Sequence, residues 1–223
     1  MSNESISRKI ASGSHKISGL ILAGGEGRRM AGRDKGLICL ADKPLVEYAI
    51  ECLQPLVDDL SISCNRNREL YQGYQLDCIS DNEITSEGNN VIGQGLQGPM
   101  AGLAAGLKHA KHEWLLVMPC DTPLMTTEVM SELLACIKAS GPHQEMQAII
   151  FSHQGLQPLH GLYHRSMLPV FEQCLAENKN ALQRLLRSMP KVSLHQADDC
   201  GFSFNNANDP EELATIEALL GRE

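Results

Sequence analysis

The 223-residue sequence predicts an α/β fold, a mostly parallel sheet held between two layers of helices. Three observations predict it. Short apolar runs alternate with helical patterns along the chain, the order of repeated strand–helix–strand units. The runs are apolar throughout instead of at every second position, which suits strands buried on both faces. The early runs stop at glycine, asparagine, aspartate or proline, the residues of tight connections. Together these describe a Rossmann-like three-layer sandwich. Ligands in such sheets bind beyond the carboxyl ends of the strands. That rule places the loops after residues 23, 64, 79 and 119 on one rim.

Taken in order, residues 1–15 are polar and serine-rich and lack an apolar period, so they read as a disordered tail ahead of a single domain at 16–223. Residues 17–23 (ISGLILA) are the first strand, ending at Gly24-Gly25. After Pro44, Leu45, Tyr48, Ala49, Cys52 and Leu53 share one helical face. Residues 59–64 and 76–79 are the next strands, and residues 82–99 form a long loop. Pro99 starts a helix of alanines and glycines suited to close packing on a sheet. Residues 114–118 form a fourth strand. Thr127 caps a helix that Gly141-Pro142 closes. Strands follow at 148–151 and 159–163, helices at 166–177 and 180–188, and short strands at 192–194 and 202–204. Asp209-Pro210-Glu211 opens the last helix, with aspartate as N-cap and proline at the first helical position.

Composition narrows the function. The formal net charge is −8, which disfavours a nucleic-acid surface and makes any local basic cluster informative. No apolar run is long enough to span a bilayer. The eight cysteines contain no C-x-x-C pair, and several sit in apolar runs, so they read as reduced thiols of a cytoplasmic protein. His109 and His112, and His160 and His164, have spacings that a metal can use, but helix-end and strand chemistry explain them as well.

The first loop carries the strongest signal. Between Gly24 and Gly36 stand Arg28, Arg29, Arg33 and Lys35 against Glu26 and Asp34, a local cationic excess in an acidic chain. Glycines such as Gly24 and Gly25 let backbone N–H groups approach phosphate oxygens, and the cations add charge-assisted hydrogen bonds. The loop is no G-x-x-x-x-G-K-[ST], and Met30 stands where the dinucleotide fingerprint needs its third glycine. Asp121, between Pro119 and Pro123 at the end of a strand, is placed to hold Mg²⁺, although D-T-P is also good turn chemistry. Asp81, Asn65 and Arg66 follow other strands and are either ligand contacts or turn residues. Asn205, Asn206 and Asn208 suit a polar heterocycle or a turn equally well.

Residues 22–36, LAGGEGRRMAGRDKG, resemble the L-A-G-G-x-x-x-R-M-G-x-D-K signature of the molybdenum cofactor guanylyltransferases, the MobA family. The likeness continues in Lys43-Pro44-Leu45, Asn65-Arg66, Ser80-Asp81, residues 98–103 (GPMAGL), 119–123 (PCDTP) and 206–213 (NANDPEEL). It implies a nucleotide-diphospho-sugar transferase-like fold and transfer of GMP from Mg-GTP to a molybdenum-bearing molybdopterin, with release of pyrophosphate. By position, Leu22, Ala23, Gly24 and Gly25 would line the nucleotide through backbone groups. Lys35 and Arg29 would hold its phosphates, Asn65 and Asp81 would contact it, and Asp121 would hold Mg²⁺ or Mn²⁺. Asn206 and Asn208 would face the pterin. Implied partners are GTP, the molybdopterin cofactor, and molybdoenzyme apoproteins or other cofactor-biosynthesis proteins. The rival readings are a cytidylyltransferase on the same pterin, a sugar-phosphate nucleotidyltransferase, and a non-catalytic nucleotide-binding chaperone of a molybdoenzyme. Ser63 stands where the family's N-x-N-R motif has its first asparagine.

Overall fold

The computed structural model describes residues 15–23, 32–80, 98–139, 146–197 and 200–221. Its centre is a seven-stranded sheet: β1 (Ile17–Leu22), β4 (Asp59–Ser63), β5 (Asp77–Ile79), β6 (Trp114–Pro119), β7 (Ala148–Ser152), β8 (Leu156–His164) and β9 (Val192–Gln196). The spatial order is β5-β4-β1-β6-β8-β7-β9. β8 runs antiparallel to both its neighbours, β6 and β7, and the remaining pairings are parallel. The mostly parallel sheet expected from the sequence is therefore present, with one reversed strand. The reversal follows from the tight β7–β8 hairpin at His153-Gln154-Gly155, where Gly155 has φ +127°, a conformation that glycine adopts without strain. A short hairpin such as this three-residue loop connects antiparallel neighbours, whereas parallel ones need a crossover.

Between β1 and β4 lie a small antiparallel pair, β2 (Cys39–Leu40) and β3 (Lys43–Pro44), and helix α1 (Leu45–Leu53). α2 (Arg68–Gln72) joins β4 to β5, α3 (Pro99–His109) precedes β6, and α4 (Thr127–Ala139) follows it. α5 (Leu168–Ala176) and α6 (Leu182–Ser188) link β8 to β9, and α7 (Pro210–Leu220) closes the chain. The β2–β3 pair and the short α2 carry no strong period and do not stand out in the sequence. Residues 202–204, expected as a strand, are instead a turn, closed by hydrogen bonds from Ser203 N to Cys200 O and from Asn205 N to Phe202 O. There the buried Phe204 ring packs against Phe151, His153 and His160, so its burial comes from aromatic contacts and not from strand pairing.

The continuous apolar runs are explained by two cores. Along β6, Trp114, Leu116 and Met118 join a core with α1 and α4, while Leu115 and Val117 join a second with α3, α5 and α6. Both faces are covered, so alternation would leave polar groups buried. α3 comes close to β1 because of its glycines: a Cβ on Gly102 would lie 2.9 Å from Leu22 Cδ2, and one on Gly106 would collide with the Leu20 side chain. A third, smaller cluster packs Ile216 of α7 and Ala207 against Ile38, Leu40 and Leu45. This cluster fixes the C-terminal helix beside the β2–β3 pair, near the carboxyl rim of the sheet. All eight cysteines are free thiols; Cys52, Cys64, Cys120 and Cys200 are buried, and Cys39 is exposed. Among the described residues no helix is long and apolar enough to cross a membrane.

Candidate functional site

The strand ends that lead into the four expected loops lie side by side on one rim. Ala23 N donates to Ser63 O at 3.0 Å, Cys64 N to Ile79 O at 2.9 Å, and Cys120 N to Leu22 O at 3.1 Å. These bonds carry the ladder one step past the strands and set the ends of β1, β4, β5 and β6 side by side. Leu22 and Ala23 therefore lie on the rim. Gly24, Gly25, Arg28, Arg29, Asp81 and the loop 82–97 lie outside the described residues.

Lys35 opens a single 3₁₀ turn, Lys35–Leu37. Its Nζ donates to Asp121 Oδ2 at 2.5 Å and to Asn208 Oδ1 at 2.6 Å. Three segments far apart in the chain thus converge on one ammonium group. Ala207 N also donates to Asp121 O at 2.8 Å, so the C-terminal segment is tied to the aspartate loop through its backbone. Asp209 caps α7, accepting from Glu211 N and Glu212 N, and Glu212 Oε2 accepts from Asn208 N. The cap and the small apolar cluster together hold Asn208 at the lysine.

Asp121 has one oxygen in reserve. Oδ1 is buried and has no hydrogen-bond partner among the described residues. A buried carboxylate oxygen without a donor is costly unless a cation or a further donor completes it. The arrangement fits a divalent ion on Asp121, because a hard cation takes carboxylate oxygens and draws its other ligands from substrate phosphates and water. Among the described residues no group of three or more His, Cys, Asp or Glu side chains is arranged to hold a metal by itself, and the two histidine pairs form no such site.

The lysine turn is braced from the β4–β5 side. Tyr71 Oη, on the fully buried side chain of α2, donates to Asp34 Oδ1 at 2.6 Å. Asn67 Nδ2 donates to Asp34 Oδ2 at 3.0 Å, and Arg66 Nη1 to Gly32 O at 3.2 Å. Burial and the Asp34 carboxylate push the Tyr71 phenol far above its usual range, so it stays a donor at all ordinary pH. Gly36 makes room for this bond, since a Cβ there would strike the tyrosine hydroxyl. Asn65 is exposed, and its Oδ1 accepts from Ser80 Oγ at 3.0 Å, linking the loops after β4 and β5. No spacing rule points to Asp34 and Tyr71. Asp34 is visible only as a residue of the family signature, and Tyr71 has no signal beyond being an aromatic in a short helix.

On the other side of Asp121 a cleft of about 730 Å³ opens between β8 and α6. Asn206 lines it, together with Asp121 and His160. The two late asparagines therefore divide: Asn206 faces the cleft, while the Asn208 side chain holds Lys35. His160 is buried, and its Nε2 is paired with Thr122 Oγ1 at 3.0 Å. Burial pushes this imidazole down to about 3, which keeps it neutral.

The MobA-like NTP transferase domain family matches residues 19–195. A molybdenum cofactor guanylyltransferase of Pseudomonas putida strain GB-1 is 40% identical over 195 residues, 87% of this chain and 94% of that protein. One from Vibrio campbellii is 35% identical over 206 residues, 92% of this chain and 96% of that protein. The fold matches molybdopterin-guanine dinucleotide biosynthesis protein A from Archaeoglobus fulgidus with a TM-score of 0.73 at 24% identity, covering 92% of this chain and 100% of that one. It also matches a nucleotidyl transferase from Methanothermobacter thermautotroptrophicus with a TM-score of 0.67 at 16% identity, covering 93% and 98% of the two chains. The rim built around Lys35 and Asp121 thus stands on a nucleotidyltransferase fold, and the chain belongs to the MobA-like NTP transferase family.

Proposed function

We propose that this chain, acting as one nucleotidyltransferase domain over residues 16–223, transfers GMP from Mg-GTP to the molybdenum-bearing molybdopterin cofactor. The products are the guanine dinucleotide cofactor and pyrophosphate. The observation that supports the reading is the contact of Lys35 Nζ with Asp121 Oδ2 at 2.5 Å across 86 positions of sequence, a cation beside a carboxylate whose other oxygen is buried and unpaired.

The nucleotide lies over the ends of β1, β4 and β5. Backbone groups at Leu22, Ala23, Gly24 and Gly25 would contact it, as would Asn65 and Asp81. Its triphosphate reaches Lys35, supported by Arg29. An incoming phosphate would compete with Asp121 for the lysine ammonium, and Asp121, with its unpaired Oδ1, is the residue that would hold Mg²⁺. When bound, that ion supplies positive charge to the α-phosphate and the leaving group. A phosphate oxygen of the acceptor attacks the α-phosphorus in line: the new P–O bond forms as the bond to the β-phosphate oxygen breaks, and pyrophosphate takes the electron pair. No side chain has to act as a base, because the phosphate nucleophile is already ionised. What the protein does is position the reactants and neutralise charge. The junction of Lys35 and Asp121 favours this reading over a non-catalytic chaperone, which needs nucleotide affinity but no metal carboxylate.

The test is pyrophosphate release from GTP, CTP, ATP and UTP in the presence of Mg²⁺ and molybdenum-loaded molybdopterin. Release with GTP in clear excess over CTP is expected. A preference for CTP would make the chain a cytidylyltransferase, and binding without release would make it a chaperone.

A further inference from the structure

Where α4 faces β9, the outermost strand at that end of the sheet, a thiol, an imidazole and a carboxylate stand in a row. Cys136 Sγ lies 3.4 Å from His195 Nδ1, and His195 Nε2 lies 2.7 Å from Glu132 Oε2. Glu132 and Cys136 are four apart on α4, so one helical face carries both. His195 stands on β9 in register with Phe151 of β7, and the two rings meet edge-on with centroids 5.5 Å apart. None of the three groups takes part in the contacts around Lys35 and Asp121.

The order of the contacts sets the protons. A carboxylate only accepts, so Glu132 holds the imidazole proton on Nε2 and leaves Nδ1 as the acceptor that faces the thiol. A nucleophile, a base within hydrogen-bond reach and a third group that orients the base are the parts of an activated nucleophile. Burial, and after it the Glu132 charge, hold the Cys136 thiol above its ordinary range. The sulfur therefore rests protonated and gives its proton to His195 as it attacks. Among the described residues no other cysteine has this combination. Cys200 has an imidazole nitrogen, His153 Nδ1, at 3.2 Å, but its side chain is buried. Cys39 is exposed, and no imidazole is bonded to it among the described residues.

We propose that Cys136 is a reversible modification site that takes a small-molecule disulfide, with His195 as its base and Glu132 as the residue that positions His195. The inference stands apart from the transferase reading. Thiol–disulfide exchange needs no more than these three groups. The Cys136 sulfur attacks one sulfur of the disulfide while its proton passes to His195 Nδ1. The new S–S bond forms as the old one breaks, and the departing thiolate takes the electron pair and then the proton from the imidazolium. Cys136 is oxidised to a mixed disulfide, and one half of the reagent is reduced to a thiol. The Glu132 carboxylate offsets the imidazolium charge in between. The His195 and Glu132 side chains are 28% and 47% exposed, so a dissolved reagent can reach the row.

The experiment incubates the folded protein with glutathione disulfide near neutral pH and follows mixed-disulfide formation at each cysteine by peptide mass spectrometry. Cys136 should react on the order of tenfold faster than Cys39, the reverse of the order that exposure alone predicts. His195→Gln should slow Cys136 on the order of tenfold and leave Cys39 unchanged. In His195→Ala, free imidazole in the buffer should restore part of the rate, which a purely structural histidine does not allow. Glu132→Gln should slow Cys136 about threefold or more, and Glu132→Asp should recover part of that loss. A wild-type Cys136 that reacts no faster than Cys39 overturns the proposal, and this comparison needs no variant. An unchanged Cys136 rate in His195→Gln overturns it as well.

Discussion

Asp59 and Asp121 sit at opposite ends of the same sheet, one opening β4 and the other following β6, and their side chains are almost equally exposed at 16% and 18%. Their surroundings differ. Asp59 Oδ1 accepts from Ser18 Oγ at 2.9 Å and lies 3.4 Å from His112 Nε2. The same serine oxygen accepts from the backbone N of Lys111 and of His112, both at 3.1 Å. Beside it, Asp58 Oδ2 accepts from Ile17 N at 2.8 Å. This end is a closed network that ties the loop before β6 to the start of β1. Asp121 spends one oxygen on Lys35 and keeps the other without a partner. Equal exposure therefore hides opposite purposes. A carboxylate that ties two chain segments together holds the fold, whereas one with a buried oxygen left unpaired is available to a ligand, at some cost to the empty protein.

The largest effect that would break this contrast is expected at Asp121. Asp121→Ala should lower kcat by about 10³-fold, the scale seen when a positioned electrostatic group is lost, while Tm moves by only about 2–4 °C. Steady-state pyrophosphate release and a thermal melt on the same preparation test both halves. Substantial Mg²⁺-dependent turnover in the variant would remove the metal role.

Asp59→Ala should behave in the reverse way. It strips the acceptor from Ser18 and His112 and should cost about 2 kcal/mol of unfolding free energy, with kcat/KM for GTP unchanged. Urea denaturation alongside the same kinetic assay measures this. A loss of activity without a loss of stability would show that the two ends of the sheet are not independent.

The smallest expected effect sharpens the comparison through pH. His160 has a folded value of about 3, below the ordinary value of 6.5. Below pH 6.5 the unfolded chain takes up a proton that the folded chain refuses, so this residue lowers stability as the pH falls. Between pH 6.5 and 5.5 its share is about 1 kcal/mol. His160→Phe should flatten the pH dependence of unfolding by that amount over that interval. An unchanged slope would mean that the buried ring is protonated in the folded state.

Sequence reading reached one level of the site and stopped at the next. Asp121 was visible because it sits at the end of an apolar run, where strand topology sets the position, and Lys35 because it belongs to a cationic cluster in an acidic chain. Asn208 was visible as one of a cluster of asparagines and as part of a family motif, but its contact with Lys35 was not, because a separation of 173 residues leaves no periodic trace. Tyr71 was missed because α2 is too short to show a helical period, and Asp34 was visible as a loop charge but its bond to Tyr71 was not. The turn at 202–204 was misread as a strand because its aromatics alternate as strand residues do, while the structure buries Phe204 against side chains from other elements.

The sequence by itself determined the layers, the direction of most strands and the rim on which a ligand must lie. Apolar periodicity and tight-turn chemistry are local, and parallel strands admit few connections. Only the tertiary structure decided which groups meet: that Lys35 bridges Asp121 and Asn208, that one carboxylate oxygen stays unpaired, and that a thiol, an imidazole and a carboxylate line up between α4 and β9. Those outcomes depend on how helices dock against two faces of a sheet, a sum over contacts between distant residues that no local pattern records.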